Sequence, residues 1–216
     1  MVINCTEKEL FVFRKIAQAA KEMHTRAYII GGFVRDKLLG RKTKDADIVC
    51  IGDGIALAHK VAERFQPKPV VSYFKNFGTA HIRLDDFEIE FVGARKESYR
   101  AESRNPDVEP GSFEEDQLRR DFTINALAIS LNEGDYGNLL DPFNGLADLE
   151  KKIIQTPLDP EETFNDDPLR MMRAIRFAAQ LDFKIAAKTF EAMNKSFVSC
   201  EKTATLSPSK RKSIFR

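Results

Sequence analysis

Residues Ala27 to Ile30 form a short apolar, β-rich run that ends on Gly31-Gly32 and passes at once into FVRDKLLG, a brief helical pattern stopped by Gly40. A strand that becomes a helix through a glycine pair implies a tight turn needing positive φ, which glycine adopts without steric penalty. Such a turn exposes backbone N–H groups beside a helix start, a ready seat for phosphate. Arg35, three residues on, adds a charged donor for phosphate oxygens. The next strand pattern, DADIVCIG, opens with Asp45 and Asp47, which a strand projects on one face with Ala46 on the other. Two carboxylates held that close oppose each other's ionisation unless a cation sits between them. Mg²⁺ suits such a pair, because it takes one or two carboxylates and completes its shell with substrate phosphates. Two such ions can clamp both oxygens of a phosphoryl transfer.

Around this stretch the periodicity divides the chain in two. TEKELFVFRKIAQAAKEM carries a capping-box pattern, Thr6 and Glu9, and apolar residues at helical spacing. GIALAHKVAERF is a further helix, and residues 70–95 hold two or three strands. Glu97 to Gln117 is polar and contains Pro106, Pro110 and Gly111, which predicts a mobile loop. LRRDFTINALAISL resumes helical or mixed apolar order. From Asp141 on, DPFNGLADLEKKI, DPLRMMRAIRFAAQLDF and AAKTFEAMNKSF predict successive helices and no strand. The fold class is therefore α+β: a mixed sheet with flanking helices over 1–140, followed by an all-helical part over 141–216.

The net charge of +1 excludes a bulk polycation, so nucleic-acid binding would need a local patch. Cys5, Cys50 and Cys200 are scattered, without CxxC pairing or a histidine cluster, which fits a reducing cytosol better than a disulfide or zinc framework. No segment approaches the roughly 18 apolar residues of a membrane span, and the N-terminus lacks a signal-peptide core. A cytoplasmic protein is expected.

Two further blocks carry chemistry. In LRRDFTINALAI, Arg119 and Arg120 are adjacent cations able to meet a triphosphate. Asp121 can orient an arginine or accept from a ribose hydroxyl, and Asn125 needs partners if buried. In DDPLRMMRAIRFAAQLDF, Asp167, Arg170, Arg173 and Arg176 recur every third residue. On a helix each such step falls about 60° short of a full turn, so Asp167 and Arg170 are neighbours and Arg176 lies on the far side. Leu169, Met172 and Ile175 follow the same drift and are expected to pack inward. An acid beside an arginine offers an acceptor and a donor, enough to read the edge of a base. Asp167-Pro168 equally has the form of a helix cap followed by proline at the first helical position. The histidines, His24, His59 and His81, fall outside these blocks and receive no role.

GG-x-VRD, DxD, RRD-FTINA, DPF-G-LADL and the Asp167/Arg170 helix, in this order, resemble the class II tRNA nucleotidyltransferase and bacterial poly(A) polymerase family of polymerase β-like folds. The resemblance covers Tyr28 to Phe183. It implies a catalytic head over 1–140 and a helical neck over 141–216, with further body and tail regions beyond it in the family. It assigns the catalytic metals to Asp45 and Asp47, and places Glu90 of FEIEFVGAR where a third acid stands. Glu88 and Glu90 share a strand face, which also suits a merely wet surface. Gly31, Gly32, Arg35, Arg120, Asp121 and Asn125 would bind the nucleotide, and Asp167 and Arg170 would select its base, with Arg173 and Arg176 in support. One departure is Asp166, where the family often has Glu. The implied reaction is Mg²⁺-dependent transfer of CMP or AMP from CTP or ATP to a tRNA 3′ end, without a template. CCA-, CC-, A- and poly(A)-adding enzymes share these motifs, and the 97–117 segment is where they would differ. A non-catalytic nucleotide- or RNA-binding module is the alternative of another class. A small-molecule nucleotidyltransferase would lack the Asp167/Arg170 helix. The basic run Lys210-Arg211-Lys212 fits a disordered tail.

Overall fold

All four side chains of the strand Ala27–Ile30 are buried, so it must lie inside a sheet covered on both faces. The computed structural model describes residues 3–98 and 107–204. In chain order the elements are α1 (Glu7–Glu22), β1 (Ala27–Ile30), α2 (Gly32–Leu38), β2 (Asp45–Cys50), α3 (Gly54–Ala62), β3 (Val71–Phe74), β4 (Thr79–Leu84), β5 (Phe87–Gly93), β6 (Arg95–Ser98) and β7 (Asp107–Pro110). There follow α4 (Phe113–Leu118), β8 (Ala128–Ser130), β9 (Leu139–Leu140), α5 (Gly145–Lys151), β10 (Ile153–Ile154), α6 (Pro160–Asp166), α7 (Leu169–Leu181), β11 (Lys184–Ile185) and α8 (Ala187–Ala204).

Seven strands form one mixed sheet in the order β3-β4-β5-β2-β1-β8-β9. Only β2 and β5 run parallel within it; the other pairs are antiparallel. One face packs on α1 and α3 through Phe13, Ile16, Ile48, Leu57, Ile82, Ile89 and Phe91. The other carries a smaller cluster of Tyr28, Ile30, Val49 and Ala128 under Phe113. The Tyr28 and Phe113 rings stack at 4.0 Å, which seats α4 on this face. The larger core continues without a break into Leu149, Phe164, Met171, Phe177 and Met193, so the helices after the sheet share its interior.

Local signals explain the helix ends. Thr6 Oγ1 accepts from the Glu9 N–H at 3.2 Å and Glu9 Oε2 accepts from the Thr6 N–H at 2.7 Å, completing the capping box of α1. Asp141 accepts from the N–H groups of Gly145 and Leu146 at 2.6 and 3.0 Å, starting α5.

Four expectations are corrected. Residues 97–117 are not one loop: β6 and β7 pair antiparallel, and α4 starts on a Ser112/Glu115 capping box. Polar composition does not exclude regular backbone here, since Asp116 and Gln117 are polar and yet buried on α4; residues 99–106 lie outside the described residues. The block after Leu118 is no helix. It runs through a 3₁₀ turn at Thr123–Asn125 into β8, because it must add a strand beside β1. The part after Asp141 is helical with one addition, a two-residue parallel pair of β10 and β11. Finally, α7 buries Arg170, Met171, Ala174, Phe177 and Leu181, whereas Leu169, Met172 and Ile175 are exposed. The inward face was misassigned because an arginine occupies it. The basic run at 210–212 lies outside the described residues.

Gly145 sits where α5 touches the 3₁₀ turn. A Cβ there would lie 2.5 Å from the Thr123 carbonyl oxygen. Gly145→Ala is expected to lower stability by about 1–3 kcal/mol, the cost of overpacking against backbone, measured by urea denaturation.

Candidate active site

The sheet register places the acids. Asp47 is opposite Ile30 of β1 on one side and Glu90 of β5 on the other. Asp45 is opposite Glu88. All four carboxylates therefore rise from one face, because partners in register share it. Their alternates Ala46, Ile48, Ile89 and Phe91 are buried on the helical side. Ile30 leads directly into Gly31, whose φ of 74° opens the bend. A Cβ on Gly31 would lie 3.4 Å from Arg120 Nη1 and 3.8 Å from Asp47 Oδ2. The glycine thus holds open the point where an acid, a cation and the backbone meet. The Gly31 N–H itself is spent on the Leu127 carbonyl at 3.1 Å.

Burial pushes the Asp47 carboxyl up to about 6, with the charges of Glu90 and Asp45 adding to it; Arg120 and His81 pull the other way. An acid cluster that suppresses its own ionisation is a place where a divalent cation gains most. Among the described residues no three His, Cys, Asp or Glu side chains converge closely enough to hold an ion unaided. The donor set therefore fits a cation that takes part of its shell from substrate oxygens.

Arg120 is aimed by a residue that sequence reasoning missed. Asp116 of α4, fully buried, accepts from Arg119 Nη2 at 2.6 Å and from Arg120 Nη2 at 3.0 Å. Burial opposes its charge, but the two guanidiniums outweigh that and hold its carboxyl below the usual carboxylate range. Asp121 accepts from the Phe122 N–H at 2.8 Å, from Asn125 Nδ2 at 3.0 Å and from Arg173 of α7, Nε at 2.7 Å and Nη2 at 2.6 Å. Buried Asn125 passes the chain on, accepting from Arg35 Nη1 at 2.6 Å.

Arg35 is only 4% exposed. Its Nε and Nη2 donate to Asp36 at 2.9 Å each, and its guanidinium lies 5.0 Å from the Phe177 ring centre. Three of its donors are already committed, so it braces the bend at Gly32, whose Cβ position is 3.7 Å from Arg35 Nη2. Arg173 and Arg176 face the same ring at 5.4 and 4.9 Å. Just before α7, Asp167 accepts from the Leu169 N–H at 3.0 Å, one residue ahead of the N-cap Pro168. Arg170 Nη2 donates to the Arg119 carbonyl at 2.7 Å. The two are neighbours, but each is held by backbone and no hydrogen bond joins their side chains.

The structure thus gathers Gly31, Asp45, Asp47, Glu90 and Arg120 on one surface. It joins Arg35, Asn125, Asp121 and Arg173 in a buried-to-surface network at its edge, with Arg170 held separately on the Arg119 carbonyl. His81, opposite Glu90 in β4, belongs to the acid face as well. The alternation Thr79-His81-Arg83 was the signal that could have found it. Nothing local in the sequence marks Phe177 as a shared arginine seat.

The model of the poly(A) polymerase head domain matches residues 27–155 of this chain. The chain belongs to the poly(A) polymerase head-domain family. Among relatives of this head domain, an A-adding tRNA nucleotidyltransferase of Aquifex aeolicus is 47% identical over 171 residues, covering 79% of this chain and 20% of that protein. A CCA-adding enzyme of Ligilactobacillus salivarius is 40% identical over 200 residues, covering 92% of this chain and 46% of its own length. The solved structure of a CCA-adding enzyme in an apo form superposes with a TM-score of 0.84 at 35% identity, covering 97% of this chain and 49% of that one. A tRNA nucleotidyltransferase solved with a primer tRNA and an incoming ATP analogue gives 0.72 at 43% identity, covering 84% and 49%. The head-domain chain described here spans less than half the length of these proteins.

The raised Asp47 pKa has a definite sign. The folded protein binds this proton more tightly than the unfolded chain, so the ionised acid costs stability at neutral pH and the cost fades as pH falls towards the unfolded value. Asp47→Asn is expected to stabilise the cation-free protein by about 2–3 kcal/mol near pH 7 and to change little near pH 4, read from paired urea titrations.

Proposed function

We propose that this protein catalyses template-independent nucleotidyl transfer to an RNA 3′ end, most specifically a tRNA 3′ end, taking CMP from CTP or AMP from ATP. The observation that carries the reading is the meeting of Asp47, Arg120 and Gly31 at one point beside Asp45 and Glu90. It is supported by relatives named as A-adding and CCA-adding enzymes and by one solved with primer tRNA and an ATP analogue.

In the proposed reaction the RNA 3′-oxygen bonds to the α-phosphorus, the bond from that phosphorus to the pyrophosphate oxygen breaks, and the hydroxyl proton is lost. Asp45 and Asp47 are the residues that would hold Mg²⁺, with Glu90 beside them. When bound, the cation supplies charge neutralisation on the triphosphate and a lowered pKa for the attacking hydroxyl. Arg120, aimed by Asp116, meets the triphosphate across the Gly31-Gly32 bend. Arg35 and Asn125 keep that bend and Asp121 in place. Asp121 positions Arg173, and Asp167 and Arg170 present an acceptor and a donor to the base, with Arg176 flanking them. The head is taken as 1–140 and the neck as 141–216. No helix among the described residues is long and apolar enough to cross a membrane, and a cytoplasmic site of action fits an enzyme of tRNA.

The test is to incubate the protein with tRNA lacking its 3′ end and each labelled nucleotide in turn, then sequence the product ends. Mg²⁺-dependent incorporation is expected, abolished by chelation. Asp45→Ala and Asp47→Ala are each expected to lower incorporation by about 10³-fold or more with nucleotide binding retained. Near-normal incorporation in either variant removes the metal assignment. Nucleotide binding without turnover in the wild type leaves a binding module instead, and long homopolymeric A ends indicate poly(A) synthesis.

A further inference from the structure

The arginines of the proposed nucleotide site lie on one side of Asp47. Arg120 reaches it from beyond β1, and Arg173 and Arg176 come from α7. On the opposite side the acid face continues across β5, β4 and β3, where the register aligns Asp47, Glu90, His81 and Ser72 in one row. In phosphoryl transfer the entering and leaving oxygens stand roughly in line on opposite sides of the phosphorus. A triphosphate anchored on the arginine side therefore leaves the β5-β4-β3 side for the entering hydroxyl.

That side ends in an aromatic residue. Phe74 shares its strand face with Ser72, hence with His81 and the acids. Its ring is 57% exposed and stands edge-on to His81, centroids 6.1 Å apart at 86°. Val70, Ser72, Phe74, His81 and Glu88 line a shallow groove beside it. From β2 to β4 is two strand spacings, about 10 Å, so His81 lies within the reach of a single nucleotide from its 3′-oxygen to the far edge of its base, and the Phe74 ring on β3 stands next to it, 6.1 Å from the His81 ring. The carboxylates nearby do not repel a polyanion at full strength, because Glu88 pairs with Arg83 at 3.5 Å and Asp85 and Asp86 pair with Lys8 at 3.2 and 2.7 Å.

We infer that Phe74, flanked by His81, is the stacking platform for the terminal base of the RNA that receives the nucleotide. The assignment rests on reading Asp45 and Asp47 as the transfer site. An aromatic face is suited to this role because every base has a π-face, so stacking holds the end of a strand without demanding its sequence. Phe74 is a positioning residue: it touches the substrate away from the reacting atoms and sets where the hydroxyl lies.

The experiment compares wild type, Phe74→Ala and Phe74→Tyr by steady-state kinetics, and by the fluorescence of an RNA carrying 2-aminopurine at its 3′ terminus. Phe74→Ala is expected to raise the KM for RNA by about ten- to a hundredfold, the range of one lost base stack. The KM for nucleotide and the melting temperature should stay near wild type. Phe74→Tyr should restore the KM for RNA. Wild type should quench the terminal 2-aminopurine and Phe74→Ala should not. An active wild type whose RNA KM and quenching are unchanged in Phe74→Ala overturns the platform and leaves the transfer site standing. A wild type that neither incorporates nucleotide nor binds RNA overturns both. If sedimentation shows wild type dimeric and Phe74→Ala monomeric, with RNA KM unaffected, the ring belongs to a contact between copies and the platform is overturned.

Discussion

Asp121 is the joint on which the arrangement depends. One of its oxygens takes the Phe122 N–H and the Asn125 amide, and the other takes both nitrogens of one edge of Arg173. Charge-assisted bonds of this kind are among the strongest that a side chain makes. The carboxylate is 7% exposed, so burying it would be costly without those partners. Through it α7 is tied to the 3₁₀ turn, and through Asn125 and Arg35 the tie reaches the helix that follows the glycine bend. Phe177 completes the joint from the apolar side, offering one ring to three guanidiniums.

The two acids near Arg120, Asp116 buried and Asp47 half-buried, have opposite circumstances. Asp116 has two arginines and is held ionised. Asp47 has the partial help of Arg120 against burial and two like charges, and its pKa climbs. The fold therefore commits Arg119 and Arg120 to Asp116 and leaves Asp47 under-compensated. Such local imbalance is common where a charged ligand completes a site.

Much of this was legible in the sequence because it depended on short-range rules. The Thr6/Glu9 box, the apolar run of β1, the glycine bend and the shared face of Asp45 and Asp47 each need only neighbouring residues to be read. What was not legible depended on partners far along the chain. Asp116 is the exception: its partners are only three and four residues on, yet it reads as one more acid in a polar stretch until α4 sets it beneath Arg119 and Arg120. His81 is an ordinary strand histidine until β4 is placed beside β5. Arg35 reads as a free phosphate donor because its three engagements lie with its own neighbour Asp36 and with Asn125, 90 positions on. The orientation of α7 was reversed for the same reason. An arginine row normally faces water, and only the Arg119 carbonyl, 51 positions away, explains why Arg170 turns inward.

Arg170 grips the carbonyl of Arg119, and Arg119 is joined to Arg120 by a single peptide unit. That unit is planar and stiff, so a roll or slide of α7 bears on the backbone from which the Arg120 side chain projects. On the role proposed for α7, a base seated askew against the helix would misaim the cation at the other end of the same nucleotide. Discrimination between bases would then surface in the speed of the bond-making step as well as in how long the nucleotide stays.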